Sequence, residues 1–392
     1  SGKLKKITLG KYPALSLADA RRQARDAKIE AANGVDVTAI RKATQKAEAG
    51  AAAATDAAKT FGAVVDKFLA AEGKRLRGTT VQAYKGFLKG PAVASWASRQ
   101  LNSITRADVT AVLDKLDAKG HAASSNHALS YLRLLFNWAA TRNLLDRPPT
   151  EFVKARHPHP KRDRALAPDE LAIVLEALDD DATVKVMRGV ELPRLAELFR
   201  DFYRVLILTG QRRNEVAGMG WAELHDLNGN APRWELPKDR TKNHLPHVVP
   251  LAPGVPTIRE RRKIAADKQK PDDDQPAPQF FFSGIGGRTP LSGHSQGKRE
   301  LDARVAILCK AMGRPALPDW TIHDLRRTMV TGMNEMGVPP HIVEAIVNHV
   351  SGAAKAGVAG VYNHALYLDG RRGALNAWAA YVEKLDPAAP RG

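Results

Sequence analysis

Pro148-Pro149, followed by Pro158 and Pro160, are the features that most restrict how this chain can fold. Proline lacks the amide hydrogen that a helix interior needs, and it pushes the preceding residue toward extended backbone. No helix runs through four of them so closely spaced, so the chain must fold as separate blocks on either side. The stretch 151–164 also carries Lys154, Arg156, Lys161, Arg162 and Arg164. It reads as an extended basic linker, either a solvated hinge or a segment that follows a phosphate backbone.

Before the linker, Phe61, Val64, Val65, Phe68 and Leu69 recur at the spacing of one helix face. A second helix is expected from about Thr79 with Val81, Tyr84 and Leu88. Thr105 and Asp108 form a cap for a third, whose face is Val109, Val112, Leu113 and Leu116. A fourth is expected from about Ser125 to Asn143. Residues 60–150 thus read as a four-helix domain. Further upstream, residues 1–35 read as a short strand at Thr8–Pro13 and then a helix capped by Ser16, with Arg21, Arg22, Arg25 and Lys28 along it. Residues 36–59 are Ala-rich without an apolar stripe and read as a partly helical linker. The start, Ser1-Gly2-Lys3, has no methionine and reads as the cut end of a longer chain.

After the linker, 165–385 reads as mostly helical with a small β element. Leu198–Leu208 is a strongly apolar helix. Arg233–Leu236 and His247–Leu251 are expected to pair as a hairpin, and Phe280–Phe282 to form a buried strand. The fold class expected is mainly α and multidomain, with an α+β fragment first, a helical domain second and a mixed α/β domain last.

Lysine and arginine number 60 against 42 acidic residues, a net charge of +18, which points to a polyanionic partner. No apolar run approaches the ~20 residues that span a bilayer, and no stretch reads as a signal peptide. The single cysteine, Cys309, excludes an internal disulfide and fits a reducing compartment.

Four patterns in the last block carry chemistry. Arg212 and Glu215, in Thr209-Gly210-Gln211-Arg212-Arg213-Asn214-Glu215, share a helix face, so the carboxylate can hold the guanidinium. Lys242 lies between the two hairpin strands. His323 and Arg326 share the face of a helix capped by Thr321 and Asp324, with Arg327 beside them; a helix start favours an anion. Asn348-His349-Val350-Ser351 leads through a Gly/Ala-rich stretch to Val361-Tyr362-Asn363. Taken singly, these are also an ion pair, a turn lysine, a core histidine and a packed tyrosine.

In this order and company, the Arg, Lys, His-x-x-Arg, His and Tyr elements resemble the tyrosine recombinase family, closest to the phage and genomic-island integrases. The resemblance covers most of the chain. It implies an arm-binding-like domain at 1–35, a core-binding domain at 60–150 and a catalytic domain at 165–385. It implies phosphoryl transfer on double-stranded DNA, with Arg212 and Arg326 clamping the non-bridging oxygens and His323 and His349 hydrogen-bonding the same phosphate. Tyr362 is then the nucleophile and Lys242 the general acid for the departing 5′-oxygen. Arg21, Arg22, Lys154, Arg156, Lys161, Arg162, Arg164 and Arg327 are the DNA-binding candidates. It further implies no metal or other cofactor, a monomer that assembles as a homo-tetramer on its attachment sites, an accessory DNA-bending or directionality factor, and a bacterial, nucleoid-associated location in the cytoplasm.

Two departures stand out. The family often has Leu-Gly-His where this chain has Val347-Asn348-His349, and the 13-residue gap from His349 to Tyr362 is long, which makes Tyr367 the runner-up nucleophile. A last helix with Leu375, Trp378, Ala379 and Val382 can pack in cis or dock on a neighbouring protomer. Rival readings are a type IB topoisomerase, a DNA-binding regulator without catalysis, in which Ile322–His349 is a helix-turn-helix, and a metal-dependent nuclease, for which no ligand spacing is found.

Overall fold

The computed structural model describes residues 6–34, 36–120, 122–158, 162–268, 278–283, 288–349 and 366–387. The chain divides into two units, residues 1–161 and 162–392. No helix among the described residues is long and apolar enough to cross a membrane.

In the first unit, α1 (Leu17–Ala32) starts where Ser16 Oγ accepts from Asp19 N, and Arg21, Arg22, Arg25 and Lys28 are exposed along it. The expected strand at 8–13 is not formed. Nothing among the described residues of this unit runs beside it to complete the ladder bonds that a strand needs. The segment read as a partly helical linker is one 21-residue helix, α2 (Val37–Ala57). Its alanines are strong helix formers that need no apolar stripe.

Four helices follow: α3 (Phe61–Glu72), α4 (Gly78–Leu88), α5 (Arg106–Ala118) and α6 (Ala122–Ala140). The stripe predicted on α3 is buried against α6, with Phe61 edge-on to Trp96 at 5.4 Å and 6.3 Å from Phe136. Burying each large side chain contributes about 1.5–3 kcal/mol. Thr105 and Asp108 form the expected reciprocal cap on α5, and Arg99 locks Asp108 at 2.8 Å. Residues 153–158 fold back on this bundle. Arg156 pairs with Asp114 and Asp117, His157 Nε2 meets Asp117 at 2.8 Å, and Asn126 donates to His157 O.

The second unit contains α7 (Pro168–Ala177), α8 (Asp181–Arg188), α9 (Glu197–Thr209) and α10 (Arg213–Ala217). A three-stranded antiparallel meander follows: β1 (Leu224–His225), β2 (Arg233–Leu236) and β3 (His247–Pro250). The helices α11 (Val255–Lys268), α12 (His294–Ala311), α13 (Ile322–Glu335), α14 (Pro340–Ile346) and α15 (Leu368–Leu385) complete it. Register pairs Trp234 with Val249 and Leu236 with His247, so these four face the core, while Arg233, Glu235 and Val248 on the other face are half-buried.

Phe280–Phe282 is not a strand. It makes one isolated bridge, Gly220 with Phe280; Phe281 N donates to Met219 O at 2.8 Å, and the buried Phe281 and Phe282 are held by ring contacts with Trp221 and Phe202. The last helix, α15, packs in cis: Leu375, Trp378, Ala379 and Val382 are buried, and Trp378 Nε1 donates to Ile207 O at 2.8 Å.

Candidate active site

The site starts where α9 stops. Gly210 has φ +61°, a left-handed backbone that favours glycine, and a Cβ there would fall 2.1 Å from Met329 Cε and make that side chain shift. The chain reverses and Arg212 caps α10. Its amide donates to Glu215 Oε2 at 3.2 Å and its Nη1 to Glu215 Oε1 at 2.9 Å. Glu215 is buried, so the spacing read as a possible surface pair is an arginine fixed by an inward carboxylate.

Helix α13 brings the next two groups. Asp324 at its start is fully buried and accepts from Thr321 N at 2.8 Å, Arg162 Nε at 3.0 Å and Arg327 Nη1 at 2.6 Å. These donors hold its carboxyl below the usual range against the opposing effect of burial. On the shared face, His323 is exposed while Arg326 is buried. Arg326 Nη1 donates to Gly210 O at 2.8 Å and Nη2 to Val347 O.

The carboxyl end of α14 is the common anchor. A helix leaves its last carbonyls without intrahelical partners. Here Ile346 O accepts from Gln211 Nε2 and from His247 Nε2, each at 2.9 Å; Val347 O accepts from Arg326; Asn348 O accepts from Asn243 Nδ2 at 3.3 Å. His349 follows directly, its Nδ1 3.7 Å from Glu344 Oε1. Three consecutive carbonyls thus bring Gln211 beside Arg212, Arg326 itself, and Asn243 beside Lys242 to the base of His349.

The electrostatics have the same focus. Burial, and then the Arg212 cation, lowers Arg326 to about 10, which still leaves it charged at neutral pH. His323 is exposed as a whole residue, but partial burial of its ring and then the cations Arg327, Arg326 and Arg212 push it down, with Asp324 opposing. Burial, Arg326 and Arg212 push His349 down, with Glu344 opposing. Both rings are therefore biased toward the neutral form. Arg326 bonds Gly210 O, two residues before Arg212, and Val347 O, two residues before His349, and His323 shares its helix face, so these four expected residues are brought together. Lys242 is exposed on the β2–β3 connection. Tyr362 lies outside the described residues. Tyr367 sets its ring edge-on to His341, 5.1 Å away, at the opposite end of α14 from His349.

The DNA-binding candidates divide. Arg21 and Lys154 are exposed, and Arg22 is exposed beside Asp19 at 2.6 Å. Arg156 is tied to Asp114 and Asp117, Arg162 to Asp319 and Asp324, Arg164 to Glu170 at 2.9 Å, and Arg327 to Asp324. The linker arginines are thus tethers of their own units first, and a phosphate would have to displace or share a carboxylate. Lys161 lies outside the described residues. Sequence reasoning gave no role to Gln211, Asn243 or His247. The one available signal was a polar side chain next to each predicted functional residue or at an inward strand position.

His247 yields a pH prediction. Burial, reinforced by Arg371, Arg326 and Arg212, lowers it to about 3, so the ring is neutral and its Nε2–H donates to Ile346 O. An unfolded histidine titrates near ~6.5. The stability due to the neutral ring is therefore fully present above pH ~6.5 and is lost as pH falls toward the folded value. His247→Gln, which keeps a donor but does not titrate, should shrink the acid-induced loss of unfolding free energy between pH 6.5 and 4 by a few kcal/mol. Urea unfolding at each pH measures it, and identical slopes for both proteins would refute it.

Three family profiles match the chain in order: "Arm DNA-binding domain" over 1–44, "Phage integrase, N-terminal SAM-like domain" over 66–143 and "Phage integrase family" over 177–367. The chain is similar to prophage integrase IntA of Escherichia coli strain K12, 23% identical over 384 residues, covering 97% of this chain and 83% of the relative. It is also similar to the integrase of Shigella phage Sf6, 22% identical over 385 residues, covering 98% and 88%. Among solved structures, a lambda integrase tetramer bound to a Holliday junction superposes with a TM-score of 0.53 at 19% identity, over 90% of this chain and 92% of that one. The Tn1549 transposon integrase in complex with circular intermediate DNA superposes with a TM-score of 0.51 at 16% identity, over 80% and 98%.

Proposed function

The chain belongs to the phage integrase family of tyrosine recombinases, site-specific enzymes that break and rejoin DNA strands, and from that premise we propose that it integrates or excises a mobile element through a 3′-phosphotyrosyl intermediate formed by Tyr362. The observation that supports this most is the convergence of Arg212, His323, Arg326 and His349 at the carboxyl end of α14. Two planar cations and two neutral imidazoles suit a phosphodiester whose transition state spreads charge over its non-bridging oxygens.

In the proposed step the Tyr362 hydroxyl attacks phosphorus, its proton passes to one of the two neutral histidines, and the bond from phosphorus to the 5′-oxygen breaks. Lys242 gives that oxygen a proton and becomes a neutral amine. The tyrosyl phosphodiester keeps the bond energy, so a 5′-hydroxyl from another strand can reverse the step without ATP or a metal. Residues 1–35 would take arm sites, 60–150 the core site, and 165–385 the chemistry. The lambda integrase above is a tetramer on a Holliday junction; we propose that this chain, a monomer alone, assembles likewise on its attachment sites. An accessory DNA-bending or directionality factor would set the direction, in the bacterial cytoplasm at the nucleoid.

Two differently labelled duplexes spanning the element's junctions test the reading. Joining of label from one to the other supports a recombinase. Relaxation of supercoiled DNA without any exchange would favour a type IB topoisomerase-like enzyme, and binding without cleavage a regulator.

A further inference from the structure

Lys242 sits between two anchors of the β2–β3 connection. On one side, Arg240 Nη2 donates to Glu215 O at 2.6 Å, the carbonyl of the residue that holds Arg212. On the other, Asn243 and Asn348 pair through their amides: Asn243 Nδ2 donates to Asn348 Oδ1 at 2.7 Å and Asn348 Nδ2 to Asn243 Oδ1 at 3.3 Å, with Asn348 O taking a further 3.3 Å contact from Asn243. Thr241 Oγ1 closes the turn between them, 2.7 Å from Leu245 O and 3.0 Å from Lys238 O. Asn348 stands at φ +49°, a left-handed conformation that asparagine tolerates better than most residues. Glycine would serve that backbone equally well and would lack the amide.

We propose that Asn243 and Asn348 are positioning residues that clamp the Lys242 turn to the His349 segment, fixing the proton donor relative to the bound phosphate. This rests on the recombinase reading. The clamp touches neither phosphate nor leaving group; it acts through its two sequence neighbours. A proton donor displaced by about 1 Å costs on the order of 100-fold, and Asn243→Ala should slow adduct formation by about that much. Asn348→Gly keeps the backbone conformation and the Asn348 carbonyl, and should cost less.

The test replaces the scissile 5′-oxygen by sulfur. Tyr362 then attacks phosphorus, its proton passes to a histidine as before, and the phosphorus–sulfur bond breaks to release a 5′-thiolate. A thiolate is a much weaker base than an alkoxide and leaves without taking a proton from Lys242. Adduct rates are measured on ordinary and sulfur-bridged duplexes for the wild type, Lys242→Ala, Asn243→Ala and Asn348→Gly. The clamp predicts that Asn243→Ala and Asn348→Gly, like Lys242→Ala, recover to within about tenfold of wild type on the sulfur substrate. Equal defects of Asn243→Ala on both substrates, beside a rescued Lys242→Ala, overturn the clamp and leave the recombinase reading intact. Absence of any wild-type adduct on either substrate defeats the reading itself. A fold defect in a variant would slow both substrates alike, so the ratio of the two rates is the readout.

Discussion

Arg326→Ala is expected to lower the rate of covalent adduct formation by about 1,000-fold or more. Removal of one preorganised donor to a developing anion costs on the order of 100- to 1,000-fold, and a guanidinium presents several. Arg326 spends one hydrogen of each terminal nitrogen on Gly210 O and Val347 O, which aims the fork and leaves its other N–H groups for a phosphate. Arg326→Lys should retain much of the charge but fail the geometry, because an ammonium cannot hold two carbonyls and an anion in one plane. DNA binding measured in parallel should change far less than the adduct rate, since Arg326 is one of 60 lysines and arginines in a chain of net charge +18. A rate within tenfold of wild type for Arg326→Ala would remove Arg326 from the chemistry.

The second large effect concerns stability. Arg304 on α12 is fully buried, and its guanidinium donates to Ala177 O at 2.6 Å, Asp179 O at 2.7 Å, Pro193 O at 2.9 Å and Asp181 Oδ1 at 2.6 Å. It ties α12 to the end of α7, the start of α8 and the segment before α9. Arg304→Met fills similar space but leaves Ala177 O and Pro193 O without their donor, while Asp179 O keeps only Arg200 Nη1 at 3.1 Å. Asp181 is exposed, so the cost is that of the buried carbonyls left unpaired, about 1–3 kcal/mol each. Urea unfolding should show the midpoint falling accordingly with an unchanged slope. A loss under about 1 kcal/mol would mean that water or relaxation replaces these bonds.

Local signals were readable where one segment determines the outcome. The α3 stripe, the Thr105–Asp108 cap, the β2–β3 hairpin and the shared face of His323 and Arg326 depend on residues within a few positions of one another. The anchors of the site do not. Gln211 and Ile346 are 135 residues apart, Asn243 and Asn348 are 105, and the acceptors are mostly carbonyls, which every residue has. Nothing in composition marks which carbonyl a distant side chain will find. The carboxylate partners of the linker arginines were hidden for the same reason: Arg162 reaches Asp319 and Asp324 about 160 positions away, which no local pattern marks. The Phe280–Phe282 run has strand composition but, among the described residues, no strand pairs with it, and β1 is only two residues long, too short for any periodicity.

The identity of the nucleophile tests the central claim most directly. The protein is incubated in EDTA with DNA spanning its element's junction, and denaturant-resistant protein–DNA adduct is measured for wild type, Tyr362→Phe and Tyr367→Phe. The account predicts adduct from wild type and from Tyr367→Phe, whose ring is set against His341, and none from Tyr362→Phe. Adduct that survives Tyr362→Phe, or none from wild type despite tight binding to the junction, would contradict it.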